Sequence, residues 1–346
     1  MAVTVLLGKA GSGKSTQCYR EIQACAAAGG KALLLVPDQA TYGAERHLAE
    51  HSEGQGFIGT QVVGFSRLAY KVFQERGLAH ASLSELARKI ILQRLLHKGE
   101  KEFSVLQTAA RQPNFADTAG RFLWECRSFC VTPDALRKAA EAVPNPTLSH
   151  KLEDISRLYG AYQDFLADHF GSADDTMTLL AREVGHYSFL QGAHVWVDGF
   201  QWFTPQQMEI LRQMEHVTAQ VTITLTIDEE HLEQQRRETA LFHRAYEVYR
   251  DLKTLFPHLE TTKVAKRPDG PLTAFRDAFF RPVPAEMTQP VSALEIWECS
   301  DRDGEIDSVA RKIAALCHQG YRYRDFLVLA RTSDLYHDRV ERIFRR

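Results

Sequence analysis

A chain of 346 residues, 44% hydrophobic and 25% charged, has the make-up of a folded protein of two or three domains, not a disordered or fibrous one. Its formal net charge of −2 shows no global basic excess, so any groove for nucleic acid must be basic locally. No apolar run approaches the roughly 18 to 20 residues of a bilayer span, and the N-terminus lacks the basic region and cleavage site of a signal peptide, so cytoplasm is the predicted compartment.

Val3 to Leu7 is a β-branched and leucine run ending in glycine, the pattern of a buried parallel strand. Residues 14 to 28 follow with Cys18, Ile22, Cys25 and Ala26 at helical spacing, and Gly29-Gly30 stops that helix. Lys31 to Val36 predicts a second strand, broken by Pro37, and Thr60 to Phe65 a third. This alternation predicts a doubly wound α/β core. From Ser82 to about Phe170 the pattern is helical, with Leu86, Ile90 and Leu95, then Phe122, Leu123 and Cys126, on periodic faces. Ser82-Leu83-Ser84-Glu85 opens this block like an N-cap box, and Pro144-Asn145-Pro146 divides it.

Strand signals return at His194 to Val197 and Val221 to Ile227, so the helical block reads as an insert between strands of one sheet. Lys266-Arg267-Pro268-Asp269-Gly270-Pro271 and Arg281-Pro282-Val283-Pro284 are linker-like. A fresh strand–helix–strand follows at Leu294 to Glu298, Glu305 to His318 and Phe326 to Leu329, and the pattern breaks off at Arg346 inside an apparent helix, as an unfinished second α/β unit would. Of six cysteines only Cys126 and Cys130 are close. Four apart on a helix they read as small apolar residues, since a zinc site needs about four ligands and no second pair exists.

Gly8-Lys9-Ala10-Gly11-Ser12-Gly13-Lys14-Ser15 meets the pattern G-x-x-x-x-G-K-[ST] at every fixed position. Glycines let successive N–H groups turn inward on a β-phosphate, and the following helix adds its positive end. Lys14 can reach the β and γ oxygens and Ser15 can ligand Mg²⁺. Residues 8 to 16, through Thr16, are therefore the predicted ATP site. Asp198, ending the apolar strand Val195-Trp196-Val197, is the candidate second Mg²⁺ group of a Walker B site. The next residue, where hydrolysing helicases carry a water-activating Glu, is Gly199. No Gln follows Thr226-Ile227-Asp228 to sense the γ-phosphate. The site predicts nucleotide binding more firmly than turnover. A working DNA-dependent motor and a P-loop small-molecule kinase are the competing readings, and the long helical block argues against the kinase.

Together the segments LLGKAGSGKST (6–16), LLLVPDQATYGAE (33–45), VVGFSRLAY (62–70), VWVDGFQWFTPQQ (195–207), GEIDSVARKI (304–313) and YRYRDFLVLAR (321–331) resemble the N-terminal region of the AddB/RexB subunit family of bacterial AddAB helicase–nucleases, degenerate relatives of superfamily 1 (UvrD-like) helicases. The likeness covers essentially the whole chain. It implies an α/β fold: a P-loop, RecA-like parallel sheet (domain 1A, 1–75 and 190–260), a helical insert 1B (76–189), a linker (261–290) and the start of a second RecA-like domain, 2A (291–346). It further implies ATP and Mg²⁺ as ligands, an AddA-type helicase–nuclease partner, single-stranded and duplex-end DNA, and scanning for the recombination hotspot Chi during double-strand break repair. The family's nuclease domain and iron–sulfur cluster fall outside this chain.

In such a domain DNA crosses the loops after the second and third strands, here Pro37 to Tyr42 and Gly64 to Arg67. Phe65 can stack on a base, Arg67 can meet a phosphate or a guanine edge, and Gln39 and Thr41 offer polar base readout. Phe203 and Thr204 join them as DNA-binding candidates. Arg121, Trp124 and Arg127 on the insert either line a DNA path or form a half-buried helix face.

Overall fold

The computed structural model describes residues 2–50, 59–78, 83–112, 114–170, 176–264 and 293–345, with positions 270, 272, 275 and 291. They fall into two units, Met1–Pro268 and Asp269–Arg346. In the first, six strands form one all-parallel sheet: β1 (Ala2–Gly8), β2 (Ala32–Leu35), β3 (Thr60–Val63), β4 (His194–Val197), β5 (Gln220–Thr226) and β6 (Glu260–Lys263). The spatial order is β3-β2-β4-β5-β1-β6. β1 and β2 follow one another in the chain, yet β4 and β5 lie between them. The predicted P-loop, RecA-like α/β fold is present.

Strand alternation gives the sheet two buried faces. Val5, Leu7, Leu35 and Ile223 pack on Leu68 and Val72 of α3 (Phe65–Arg76), Leu180 of α9 (Thr176–Glu183), Ile210 of α10 (Pro205–Glu215) and Leu252 of α11 (His243–Leu255). On the other face Leu6, Leu34 and Trp196 meet Cys18 and Ile22 of α1 (Lys14–Ala27) and Leu48 of α2 (Thr41–Glu50). Each such aliphatic side chain contributes about 1.5–3 kcal/mol by leaving water. The Trp196 indole N–H donates to Glu21 Oε2 at 2.8 Å, which pins α1 over β4.

Between β3 and β4 the chain forms α4 (Glu85–Lys98), the short α5 (Gln107–Ala110), α6 (Phe115–Ser128), α7 (Pro133–Ala142) and α8 (Pro146–Phe170). These helices own a core of Leu92, Leu96, Leu123, Cys126, Leu158 and Tyr162. Cys126 packs there as the small apolar residue its position suggested. The cap of α4 is Ser84, whose Oγ accepts the Ala87 N–H at 3.2 Å, while Ser82 lies outside the described residues. Buried Asp154 accepts three backbone N–H groups, from Ser104 (3.0 Å), Val105 (2.8 Å) and Leu106 (3.0 Å), and so fixes the turn between α4 and α5.

Nothing in the local pattern announces β6. All four of its residues are exposed and none is apolar, and the sheet recruits them through backbone pairing with β1. They lie at the start of the stretch read as a linker, most of whose remainder is outside the described residues. In the second unit α12 (Arg302–His318) and α13 (His337–Phe344) form, but the predicted strands at 294–298 and 326–329 join no ladder among the described residues. Parallel strands become stable when further strands and a covering layer join them. No described helix is long and apolar enough to cross a membrane.

Candidate functional site

The loop after β1 has the conformation its glycines permit. Gly11 and Gly13 take positive φ values of 76° and 91°, which turn the loop into the first turn of α1. No side chain caps that helix end, leaving its N–H groups to the loop's interior. Lys14 is folded back over the loop: its ammonium donates to Gly8 O (2.6 Å), Lys9 O (3.0 Å) and Ser12 Oγ (3.3 Å). Ser15 and Thr16 lie exposed on the first turn of α1.

Asp198 is 7% exposed and follows β4, its N–H bonded to Leu35 O at 2.9 Å. Strand register sets it level with Thr224 on β5, whose hydroxyl donates to Asp198 Oδ1 at 2.5 Å. That bond holds one carboxylate oxygen and orients the other. Burial pushes the Cys18 thiol well up, with the Asp198 and Glu21 carboxylates adding to the shift and the Lys14 ammonium opposing it. One side chain on α1 thus feels both Asp198 and the loop's ammonium. A cradle of N–H groups, a lysine, a helix-start serine and a buried carboxylate fit a nucleoside triphosphate with its Mg²⁺.

Sequence reasoning missed how the loop is braced. Lys9 Nζ pairs with Asp228 Oδ2 at 3.1 Å, and the Lys9 N–H donates to the buried Glu229 carboxylate at 3.1 Å. Burial works against the Asp228 charge, but the Lys9 ammonium together with the His231 ring and N–H holds its pKa below the ordinary value. The segment after β5, searched for a glutamine sensor, is instead fastened to the phosphate loop. No pattern in the sequence announces such a pairing across 220 positions.

Along the sheet's carboxyl edge runs a cleft of about 1180 Å³, walled on its far side by α4 and α6. Of the DNA candidates, Phe65 and Thr204 line it directly. Phe65 opens α3 instead of ending a strand. It is 4% exposed, its ring edge-on to Phe200 at 5.5 Å, so only its cleft-facing part is open to a ligand. Phe203 is a core residue packed 5.2 Å from Phe200 and does not line the cleft. Thr204 caps α10: it accepts the Gln207 N–H at 3.2 Å while Gln207 Oε1 accepts the Thr204 N–H at 3.0 Å, a capping box with Pro205 behind it. Thr-Pro-Gln-Gln could have been read as that box from the sequence.

Gln39, Thr41 and Arg67 stand beside the cleft without lining it. Gln39 is exposed, Thr41 donates to Asp38 O at 3.0 Å, and Arg67 pairs with Glu45 at 3.0 Å. The two loops meet at Asp38, whose Oδ2 accepts from Ser66 Oγ at 2.8 Å. Gly64 allows this approach, because a β-carbon there would collide with the Asp38 carboxylate.

The model of the family described as ADDB, N-terminal matches residues 5–274. Proteins named as the B subunit of an ATP-dependent helicase/deoxyribonuclease are similar along 99% of this chain: 35% identical in Pelotomaculum thermopropionicum, and 32% in Desulforamulus reducens and in Bacillus subtilis. The chain spans 31% of the length of each of these relatives. A fold, a phosphate loop and a family model that agree over most of its length show that the chain belongs to the AddB N-terminal family.

Proposed function

We propose that this chain is the nucleotide-binding, single-stranded-DNA-reading part of a helicase–nuclease subunit. That larger protein works in double-strand break repair and recombination, where it scans DNA for Chi beside an AddA-type partner. The observation that carries the reading is the shared carboxyl edge: the phosphate loop, buried Asp198 and the cleft all open from the same end of one parallel sheet. Ligands of open α/β sheets bind at that end. ATP with Mg²⁺ occupies residues 8 to 16, with Ser15 and Asp198 toward the cation. DNA follows the loops of Gln39, Thr41, Phe65 and Arg67, with Thr204 and Phe203 supporting the floor.

Nucleotide is held here rather than hydrolysed. Gly199 stands at φ 82° with Pro37 Cδ 3.4 Å from where its β-carbon would lie, so the position after Asp198 does not favour a glutamate base. In a titration with labelled ATP, Lys14→Ala should weaken binding by at least about tenfold. The unmodified chain should bind ATP without DNA-stimulated turnover. Sustained turnover would restore the motor reading, and phosphoryl transfer to a small acceptor the kinase reading.

A further inference from the structure

The wall of the cleft contributed by the helical insert carries chemistry of its own. On α6 the charged and aromatic residues that line the cleft recur every three or four positions: Asp117, Arg121, Trp124, then Arg127. On α4 they are Glu85, Arg88 and Lys89. Four cations therefore face two carboxylates, on a chain whose net charge is −2. Lys89 is engaged by Asp117 at 2.6 Å, and Arg127 lies over the Tyr162 ring at 5.7 Å. Arg88 and Arg121 are exposed, and no side-chain hydrogen bond or ion pair of either is found among the described residues. Between them Trp124 is 61% exposed, and on the sheet side Tyr70 is 66% exposed.

A helix that exposes tryptophan beside arginine does not use that ring in its core, to which it contributes Leu123 and Cys126 instead. A ring face flanked by guanidinium groups suits a base with its phosphate.

We infer that the α4–α6 face is a second, sequence-independent wall for single-stranded DNA, with Trp124 as a stacking platform and Arg88 and Arg121 as phosphate contacts. The inference rests on the DNA reading above and extends it: the sheet loops discriminate bases while the insert holds the strand against them.

The test is fluorescence anisotropy of labelled oligothymidylate with the full 346-residue chain over a salt series, after melting curves confirm that each variant is folded. Trp124→Ala should weaken binding roughly fivefold or more, and Trp124→Phe should retain most of the affinity. Arg88→Ala and Arg121→Ala should each lower the log–log salt slope by about 0.7, while Lys138→Ala, exposed on α7 away from the cleft, should not. Arg67→Ala measured in parallel separates the two ideas. If it weakens binding while the wall variants match the unmodified chain, the wall inference is overturned and the DNA reading stands, leaving an acidic protein segment as the occupant. If the unmodified chain binds no oligonucleotide, both fall.

Discussion

The backbone at Gly199 bears on chemistry as well as geometry. A left-handed conformation costs a residue with a β-carbon about 1–2 kcal/mol, and Gly199 holds such a conformation at φ 82°. Gly199→Glu, which would place a carboxylate directly after Asp198, is therefore expected to lower stability by about 1–2 kcal/mol. It should not create DNA-stimulated turnover; a measured turnover in that variant would show the base alone was lacking. Thr224 acts on the same site from the neighbouring strand by holding one oxygen of Asp198. The sequence could nominate Asp198 because a strand-ending carboxylate is a local pattern. It could not nominate Thr224, one of several strand threonines until register sets it opposite Asp198.

Among the elements, the insert depends most on a single polar group. Asp154, itself buried, accepts three consecutive N–H groups in the turn before α5, and removing it leaves the buried Leu106 N–H without this acceptor. Asp154→Ala should cost about 3 kcal/mol or more, read as a drop in the denaturant midpoint. Helices α4, α6 and α8 lie where the sequence reads as helical, but on α4 the positions read as its apolar face, Leu86 and Ile90, are exposed, and Ile91, Leu92 and Leu96 fill the core instead. β6 was not visible in the sequence, because a strand of exposed polar residues is defined by the backbone it pairs with. Phe65 sits between these cases. Its apolar character was plain, but its place at the start of a helix, edge-on to Phe200, needed the turn at Gly64.

At the scale of the whole molecule, acid should release the brace between the phosphate loop and the segment after β5. Asp228 has a lowered folded pKa, so its pairing with Lys9 is fully present above the ordinary carboxylate range and is lost as pH falls through the lowered value. Asp228→Asn should melt lower than the unmodified chain at neutral pH. The gap should close below about pH 4, and a gap that persisted into strong acid would contradict the pairing. The fold class was legible because strand, helix and phosphate loop alternate in order. What escaped is non-local: the brace after β5, and the fate of the segments at 294–298 and 326–329, read as strands but joining no sheet among the described residues.

The position of β5 between β1 and β4 also sets an order of events during synthesis. The phosphate-loop strand leaves the ribosome early, but the segment that braces it follows 220 residues later. At 5–20 residues per second that is a wait of about 10 to 45 s. During it β2 and β3 can pair and the insert can close on its own core, while β1 stays without its neighbour. Stalled nascent chains ending before β5 should thus show a protease-resistant insert and a protease-sensitive N-terminus, and resistance should reach the N-terminus only once β5 has emerged.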